Sequence, residues 1–489
     1  MSPRNSGDHF ASDETDGAVA PSATTTNFPT FLRLGRGLKA LGKALLVLIV
    51  IGMVAHGIAS VVEGRKLESD LRAIKAKGEP VSPAELGKPK VPDAENAAPI
   101  YAKAFDILAD TKYDSDIDAM FTLVAPEKRK PDPAIWDEVE KGLAKHPEIV
   151  PMIEQASARP RCQFPIRWED GFNAAFPHLA HARKASALLA ARAMLQSHRG
   201  DTAGACHSLE LGFRLSDSLA EQPTLISQLV RMAVITIQAR ALREVMADGG
   251  MTAAQARGLY DLLGGIDLTP AYVKAMQTER MYGIWAFDYI RRHPEELPSL
   301  MSAPDDQRQK NALFKPLVFL WRPLSYMDER FYLQHMNEVV ANAAMPYLEV
   351  KTRHPKVDQE PQYRKCFMVS CMITPYLGRA RIRRDSTVAE VAGSRIALAL
   401  TAYKNRFGAY PTSLGELRSK LGWDVPLDPF SGKDFVYKRQ GSGYLLYSIG
   451  QNLKDDGARA FTQRPVPDDA NYMDENGQRV ADIVWEIDR

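Results

Sequence analysis

Four cysteines in 489 residues are too few for a disulfide-dense secreted scaffold. Neither sign of charge is in excess: 62 Lys and Arg oppose 60 Asp and Glu, which leaves a net +2 and no electrostatic footprint for nucleic acid. The chain lacks a Gly-x-Ser-x-Gly elbow, a Gly-rich phosphate loop and a His-Glu-x-x-His zinc motif, so three common catalytic frameworks are missing. Long hydrophobic runs are scarce as well, which excludes a polytopic membrane protein. What is there is a composition usual for folded domains, 45% hydrophobic and 25% charged, in a chain long enough for about two to four of them.

One run stands apart. Ala44 to Val62 contains no formal charge over 19 residues, and His56 and Ser60 are its only polar side chains. About 20 apolar residues span a bilayer as a helix, so residues 38–63 are expected to be a transmembrane helix that meets lipid through 44–62. Arg33, Arg36, Lys39 and Lys43 on the N-terminal side suit a cytoplasmic flank, although Arg65, Lys66 and Arg72 follow on the other. The expected topology is single-pass in the inner membrane, with the N-terminus cytoplasmic and the later domains periplasmic. A signal peptide cleaved near Ala55-His-Gly57 and a buried core helix are the competing readings. Residues 1–37, led by a Ser-, Thr-, Asp- and Gly-rich stretch, are expected to form a disordered cytoplasmic tail.

Glu63 to Ala76 can extend the helix, after which Gly78, Pro80, Pro83, Pro89 and Pro92 interrupt it, so 64–92 reads as a Pro-rich juxtamembrane connector. From 93 to 385 helical spacing dominates. Ile226, Leu229, Val230, Ala233, Val234 and Ile237 follow the i, i+3, i+4, i+7 rule and predict one buried helix face, and Cys206, Leu209, Phe213 and Ala220 predict another. Gly200-Asp201 separates the segment that carries Cys206 from the helical one before it, and Pro223 closes it. Ala312 to Tyr326 is apolar but broken by Lys315, Pro316, Arg322 and Pro323; it docks on the body or grazes the membrane surface, with docking favoured. The run Arg379-Ala-Arg-Ile-Arg-Arg384 predicts a solvated basic helix face.

The last hundred residues change character. Thr387-Val-Ala-Glu390 has capping-box spacing and predicts a helix start, with the helix stopping at Gly408. Asp428-Pro429 to Gly432 is turn chemistry, and two β-prone runs flank Gly441-Ser-Gly443 as a hairpin. The fold expected is mainly α: a single transmembrane helix, a helical-bundle ectodomain over 93–385 and a small α+β domain over 386–489.

Ala402-Tyr403, Gly408, Tyr410-Pro411, Leu414, Leu417, Asp428-Pro429, Gly432, Tyr437, Tyr444, Tyr447-Ser448-Ile-Gly450 and Asp482-Ile483…Trp485 recur here in one order. On these residues the C-terminal module, 388–457 with 482–485, resembles the exported head of type II secretion major pseudopilins. The remaining chain is similar to single-pass bacterial envelope proteins that end in the same module. The resemblance implies a pilin-like head and an envelope location, with other envelope or secretion proteins as partners, and it implies no enzymatic activity. It also departs from the family: there is no leader-peptidase site, and some 320 residues separate the apolar helix from the head, so assembly by stacked N-terminal helices is not expected. The family's head loop binds Ca²⁺, and carrying this over names Asn452, Asp455, Asp456 and Asp482 as ligands. Asn452 stands where the family has Asp, and a solvated acidic turn is the other reading of the same residues.

Catalytic candidates are few. His178 and His181 stand three apart on a helix and can face one zinc ion or pack as ordinary helix residues. Cys162 and Cys206 are available to pair in an oxidising compartment, whereas Cys366 and Cys371, five apart, are poorly placed to. Trp168-Glu-Asp170 offers adjacent acids. Two functions follow as expectations: an anchored binding or scaffolding protein, or an anchored exported hydrolase with its site around Arg167, Glu169, Asp170 and His178.

Overall fold

The computed structural model describes residues 29–124, 132–293, 311–357, 368–373, 377–458 and 483–487, which fall into two compact units, one up to Ala59 and one from Ser60 onward. Residues 1–28 of the expected tail lie outside that set, and 29–37, also expected to be disordered, are instead the first turns of a helix that continues into the apolar run. The chain is mainly α. In order it forms α1 (Pro29–Ala76), α2 (Ala98–Leu108), α3 (Asp114–Val124), α4 (Pro133–Lys145), α5 (Ile149–Ser157), α6 (Pro177–His198), α7 (Thr202–Asp217), α8 (Leu225–Asp248), α9 (Ala253–Gly264), α10 (Thr269–Arg292), α11 (Asn311–Ala341), α12 (Tyr347–Arg353), α13 (Met368–Ile373) and α14 (Leu377–Phe407), then strands β1 (Val436–Gln440), β2 (Gly443–Ser448) and β3 (Ile483–Ile487).

Within the first unit, α1 carries the charge-free run, and none of the most apolar stretch of this helix is buried against protein: Leu48 is 65% exposed and Ile51 58%. Within the second unit, α1 ends at Ala76, and Gly78, at φ +73°, turns the chain where a side chain would be strained. The segment that follows is docked rather than free. Val91 is buried and its N–H donates to Gln163 Oε1 (2.8 Å), and Glu79 pairs with buried Arg280.

The body centres on α6, α7 and α8. α6 buries Ala182, Ala185, Ala187, Ala190, Ala191 and Ala193, and such small side chains let neighbouring backbones approach closely. At the three-helix junction, Gln238 of α8 lies over Gly212 of α7 and its Nε2 donates to Ser186 O (2.8 Å) and Oγ (2.9 Å) of α6. Asp201 caps α7 through Gly204 N–H, as the Gly-Asp break predicts.

α8 corrects the sequence reading. Of the predicted face only Val234 is fully buried; Ile226 is 49% exposed and Leu229, Val230, Ala233 and Ile237 are half-buried, whereas Gln228, Arg231 and Gln238 are buried. The core offers these polar groups partners: Gln228 donates to the carbonyls of Leu219 and Gln222, and Arg231 faces Asp217. Burial here follows hydrogen-bond satisfaction as well as hydropathy. On the second predicted face, Cys206, Leu209 and Phe213 are buried as expected.

α14 brings two more corrections. It runs unbroken from Leu377 to Phe407, so Thr387 begins nothing: its Oγ1 donates back to Arg383 O (2.9 Å), and Glu390 pairs with Arg243 of α8 (2.7 Å). A capping box needs free N–H groups, and mid-helix there are none. The basic run is a solvated face only in part: Arg379 and Arg383 are exposed, but Arg381 and Arg384 are buried. Arg381 Nη1 donates to Asn342 O (2.8 Å) and Met345 O (3.1 Å), and Arg384 to Ala343 O (2.5 Å) and Met345 O (2.7 Å), all at the C-terminal end of α11 and just beyond it. The expected boundary between 385 and 386 falls inside α14, and one continuous apolar core takes residues from both sides of it.

The head adds a three-stranded antiparallel sheet in the order β1-β2-β3, with Gln440 opposite Gly443 closing the hairpin around Gly441 at φ +52°. The helix stop at Gly408 and the turn at Asp428 to Gly432 stand where the sequence predicts them. The sheet approaches α14 closely at one point, where a Cβ on Gly393 would fall within the indole of Trp485. Gly393→Ala is therefore expected to cost about 1–3 kcal/mol, read as a lower denaturant midpoint at unchanged slope. An unchanged midpoint would show that the indole does not sit on the helix.

Candidate functional site

Among the described residues, polar groups gather at the loop after β2 and in a cleft between α2, α5 and α7, among other places. The loop is organised by Asp428, which is buried. Its Oδ1 accepts from Phe430 N–H (3.0 Å) and Ser448 Oγ–H (2.7 Å), and its Oδ2 from Ile449 N–H (3.3 Å). One carboxylate thus ties the turn before β1 to the end of β2. A buried anion with several donors is well satisfied.

The residues expected to hold calcium lie just beyond. Asn452 Nδ2 donates to Asp456 Oδ2 (2.7 Å), while Asn452 Oδ1 accepts from Lys454 N–H (3.0 Å). Asp455 Oδ1 accepts from Tyr447 Oη–H (2.8 Å) and from Gly457 N–H (2.9 Å). Asp482 lies outside the described residues. Calcium takes six to eight oxygens, and here the Asn452 side-chain amide, the backbone N–H groups of Lys454 and Gly457 and the Tyr447 hydroxyl bond oxygens of this loop. Among the described residues no group of three or more His, Cys, Asp or Glu is placed to hold a metal. They form a self-bonded turn.

The cleft between α2, α5 and α7 has a volume of about 230 Å³ and is bordered by Tyr101, Arg161, Cys162, Arg214, Asp217 and Glu221. Its charges are paired. Glu221 accepts from Arg161 (3.1 Å) and Lys88 (3.4 Å), which hold its carboxyl below the usual range, and Arg214 is gripped by Glu210 (2.9 Å). Burial raises the Asp217 carboxyl, against the pull of Arg231 and Arg214. Burial also pushes the Cys162 thiol up to about 12 and that of Cys206 to about 11, so both stay protonated at neutral pH and neither is an activated nucleophile. The two cysteines that the sequence left free to pair are not bonded to each other. Cys366 and the side chain of Cys371 lie outside the described residues.

The hydrolase candidates are not gathered. Arg167, 81% exposed, pairs with Asp170 (3.0 Å) at the surface, and Glu169 is exposed. His178 turns inward, stacked on Phe164 at 4.2 Å between ring centroids, with Nε2 3.0 Å from Gln222 Oε1. Burial lowers its pKa, so it is neutral at physiological pH. His181 is half-buried beside Phe105 and is lowered in the same way. The histidine pair is packing, not a metal arm. The cleft had no signal in the sequence, because Cys162, Asp217 and Glu221 come from separate elements with no shared spacing.

No protein-family model, no curated protein and no solved structure matches the chain. The class of the molecule rests on its own geometry: a mainly α chain with a small antiparallel sheet and an apolar helix at its N-terminal end.

Two outcomes are expected. Asp428→Ala strands the donors of Phe430, Ser448 and Ile449 and should cost about 3 kcal/mol in chemical unfolding, whereas Asp456→Ala on the exposed loop should cost far less. Glu279 of α10 accepts from Leu225 N–H (3.3 Å), and burial pushes its carboxyl from 4.5 up to about 7. A raised carboxyl favours the protonated fold, so its contribution is complete below pH 4.5 and is lost as pH rises through 7. Melting temperature should fall across that window in the wild type, and the fall should shrink in Glu279→Gln.

Proposed function

We propose that this chain is a single-pass membrane-anchored protein of the bacterial envelope, with α1 in the inner membrane and its helical body and head in the periplasm, where it binds or scaffolds other envelope proteins. The observation that carries the reading is the charge-free stretch of α1, whose large apolar side chains are left exposed by the protein and therefore call for a non-aqueous solvent. The other long apolar helix, α8, is mostly buried in the body and needs no lipid. A binding role accords with the cleft, where carboxylates and guanidinium groups neutralise one another and the thiols are held protonated. The link to secretion machinery comes from the sequence resemblance of the head to major pseudopilins.

The test is made on the full chain in a Gram-negative host with an epitope at each end. The protein should stay with membranes through an alkaline wash. Protease added to spheroplasts should destroy the C-terminal epitope and spare the N-terminal one. Release by the wash, or a protected C-terminal epitope, would overturn the reading. A photo-crosslinking residue at Glu221 should then capture a defined envelope protein that the same residue at Arg439 does not.

A further inference from the structure

The pairing of charges around the cleft between α2, α5 and α7 leaves over two donors. Arg161 goes to Glu221, Arg214 to Glu210, and Arg231 lies 3.4 Å from Asp217. Arg159, half-buried on the same rim, has no acceptor for its guanidinium among the described residues. The second donor is Tyr101. It is only 1% exposed, yet its hydroxyl makes no hydrogen bond among the described residues. A buried tyrosine hydroxyl ordinarily has a partner. The groups that act electrostatically on this one are Cys162, Asp217 and Arg214, all of which border the cleft, so the polar end of the ring faces the opening.

The same cleft also offers partners for a cation. α5 and α7 both end on it, at Ser157 and Asp217, and a helix C-terminus carries the negative end of its dipole. The Asp217 side chain is 51% exposed, and its contact with Arg231 at 3.4 Å is long for a charge-assisted bond. α2 begins at the cleft, with Ala97 at its N-cap, and a helix N-terminus favours negative charge. Unspent donors and an under-committed carboxylate thus share one small space. Its volume of about 230 Å³ lies below the ~300–1,000 Å³ of pockets for larger ligands. A small metabolite fits there, and a folded partner does not enter.

We propose that this cleft binds a small zwitterion, an amino acid or short peptide, whose carboxylate takes the Arg159 guanidinium and the Tyr101 hydroxyl and whose ammonium takes Asp217. An arginine fork meets a carboxylate through two parallel N–H···O bonds, and the tyrosine hydroxyl adds a third donor. The ammonium in turn gives Asp217 the close donor it lacks. A bare anion would satisfy Arg159 and Tyr101 but would share the cleft with the Asp217 carboxylate and the ends of α5 and α7, which repel it. A bare cation would leave both donors unspent. The proposal deepens the binding role given above by naming the ligand class of the cleft, and it rests on the reading of that cleft as a binding place.

The full chain in detergent is titrated calorimetrically with L-alanine, L-alanyl-L-alanine, acetate, ethylammonium and inorganic phosphate. At least one of the two zwitterions should bind saturably, and the three singly functional ions at least about tenfold more weakly. Arg159→Gln should weaken zwitterion binding about 10- to 100-fold and Tyr101→Phe about 3- to 10-fold. Because the hydroxyl has no partner in the fold, Tyr101→Phe should leave the melting temperature of the ligand-free chain unchanged or raised, which marks the loss as one of binding. Failure of both zwitterions to bind, acetate or phosphate binding as tightly as they do, or Arg159→Gln binding at wild-type strength would overturn the proposal. Photo-crosslinking at Glu221 separates it from the scaffolding role. Protein capture without zwitterion binding would overturn the proposal and leave scaffolding standing, zwitterion binding without capture would do the reverse, and absence of both would overturn both.

Discussion

Two guanidinium groups withdrawn from water hold the long helices of this protein together. Arg381 and Arg384 sit one turn apart on α14 and donate to the carbonyls of Asn342, Ala343 and Met345, where α11 runs out of its own acceptor pairing. The negative end of the helix dipole lies there too, so charge and hydrogen bonding act in the same direction. Asp385 completes the arrangement, accepting from Arg384 Nε (2.6 Å) and from the N–H of Tyr347 at the start of α12, while the Arg384 guanidinium stacks 4.8 Å from the Tyr272 ring on α10. Removing one partner would leave a buried charge uncompensated, which is why such clusters tolerate little change.

From this clamp the helices form a connected line. Three turns back along α11, Arg330 meets Glu63 and Asp70 of α1, and the helix packs on α10. α14 continues past the clamp to Arg243 of α8 through Glu390, then to the sheet at Gly393 and Trp485. Contacts therefore run without a gap from the level of Glu63 to β3.

Some of this was legible in the sequence. The apolar run, the Gly-Asp break before α7, the stop at Gly408 and the hairpin about Gly441 are local features, each dictated by a few adjacent residues. The readings that failed depended on distant partners. Gln228, Arg231 and Gln238 look like a solvent face until Leu219, Gln222, Asp217 and Ser186 are seen to satisfy them. Thr387 and Glu390 have the spacing of a helix start, yet the preceding ten residues are drawn into the same helix by burial of Leu377, Ala380, Arg381 and Arg384.

By itself the sequence determined the quantities that need no partner: a 19-residue charge-free helix, a mainly α body, and the turns set by Gly and Asp-Pro. Hydropathy and backbone strain act at short range, and the chain carries them wherever it goes. Tertiary structure alone decided which charged and polar groups went inside. It placed two arginines of a basic run at a helix end, turned His178 onto Phe164 and paired the charges around the α2–α5–α7 cleft. Burying a polar group is favourable only when its partner arrives with it, and that partner is chosen by the fold.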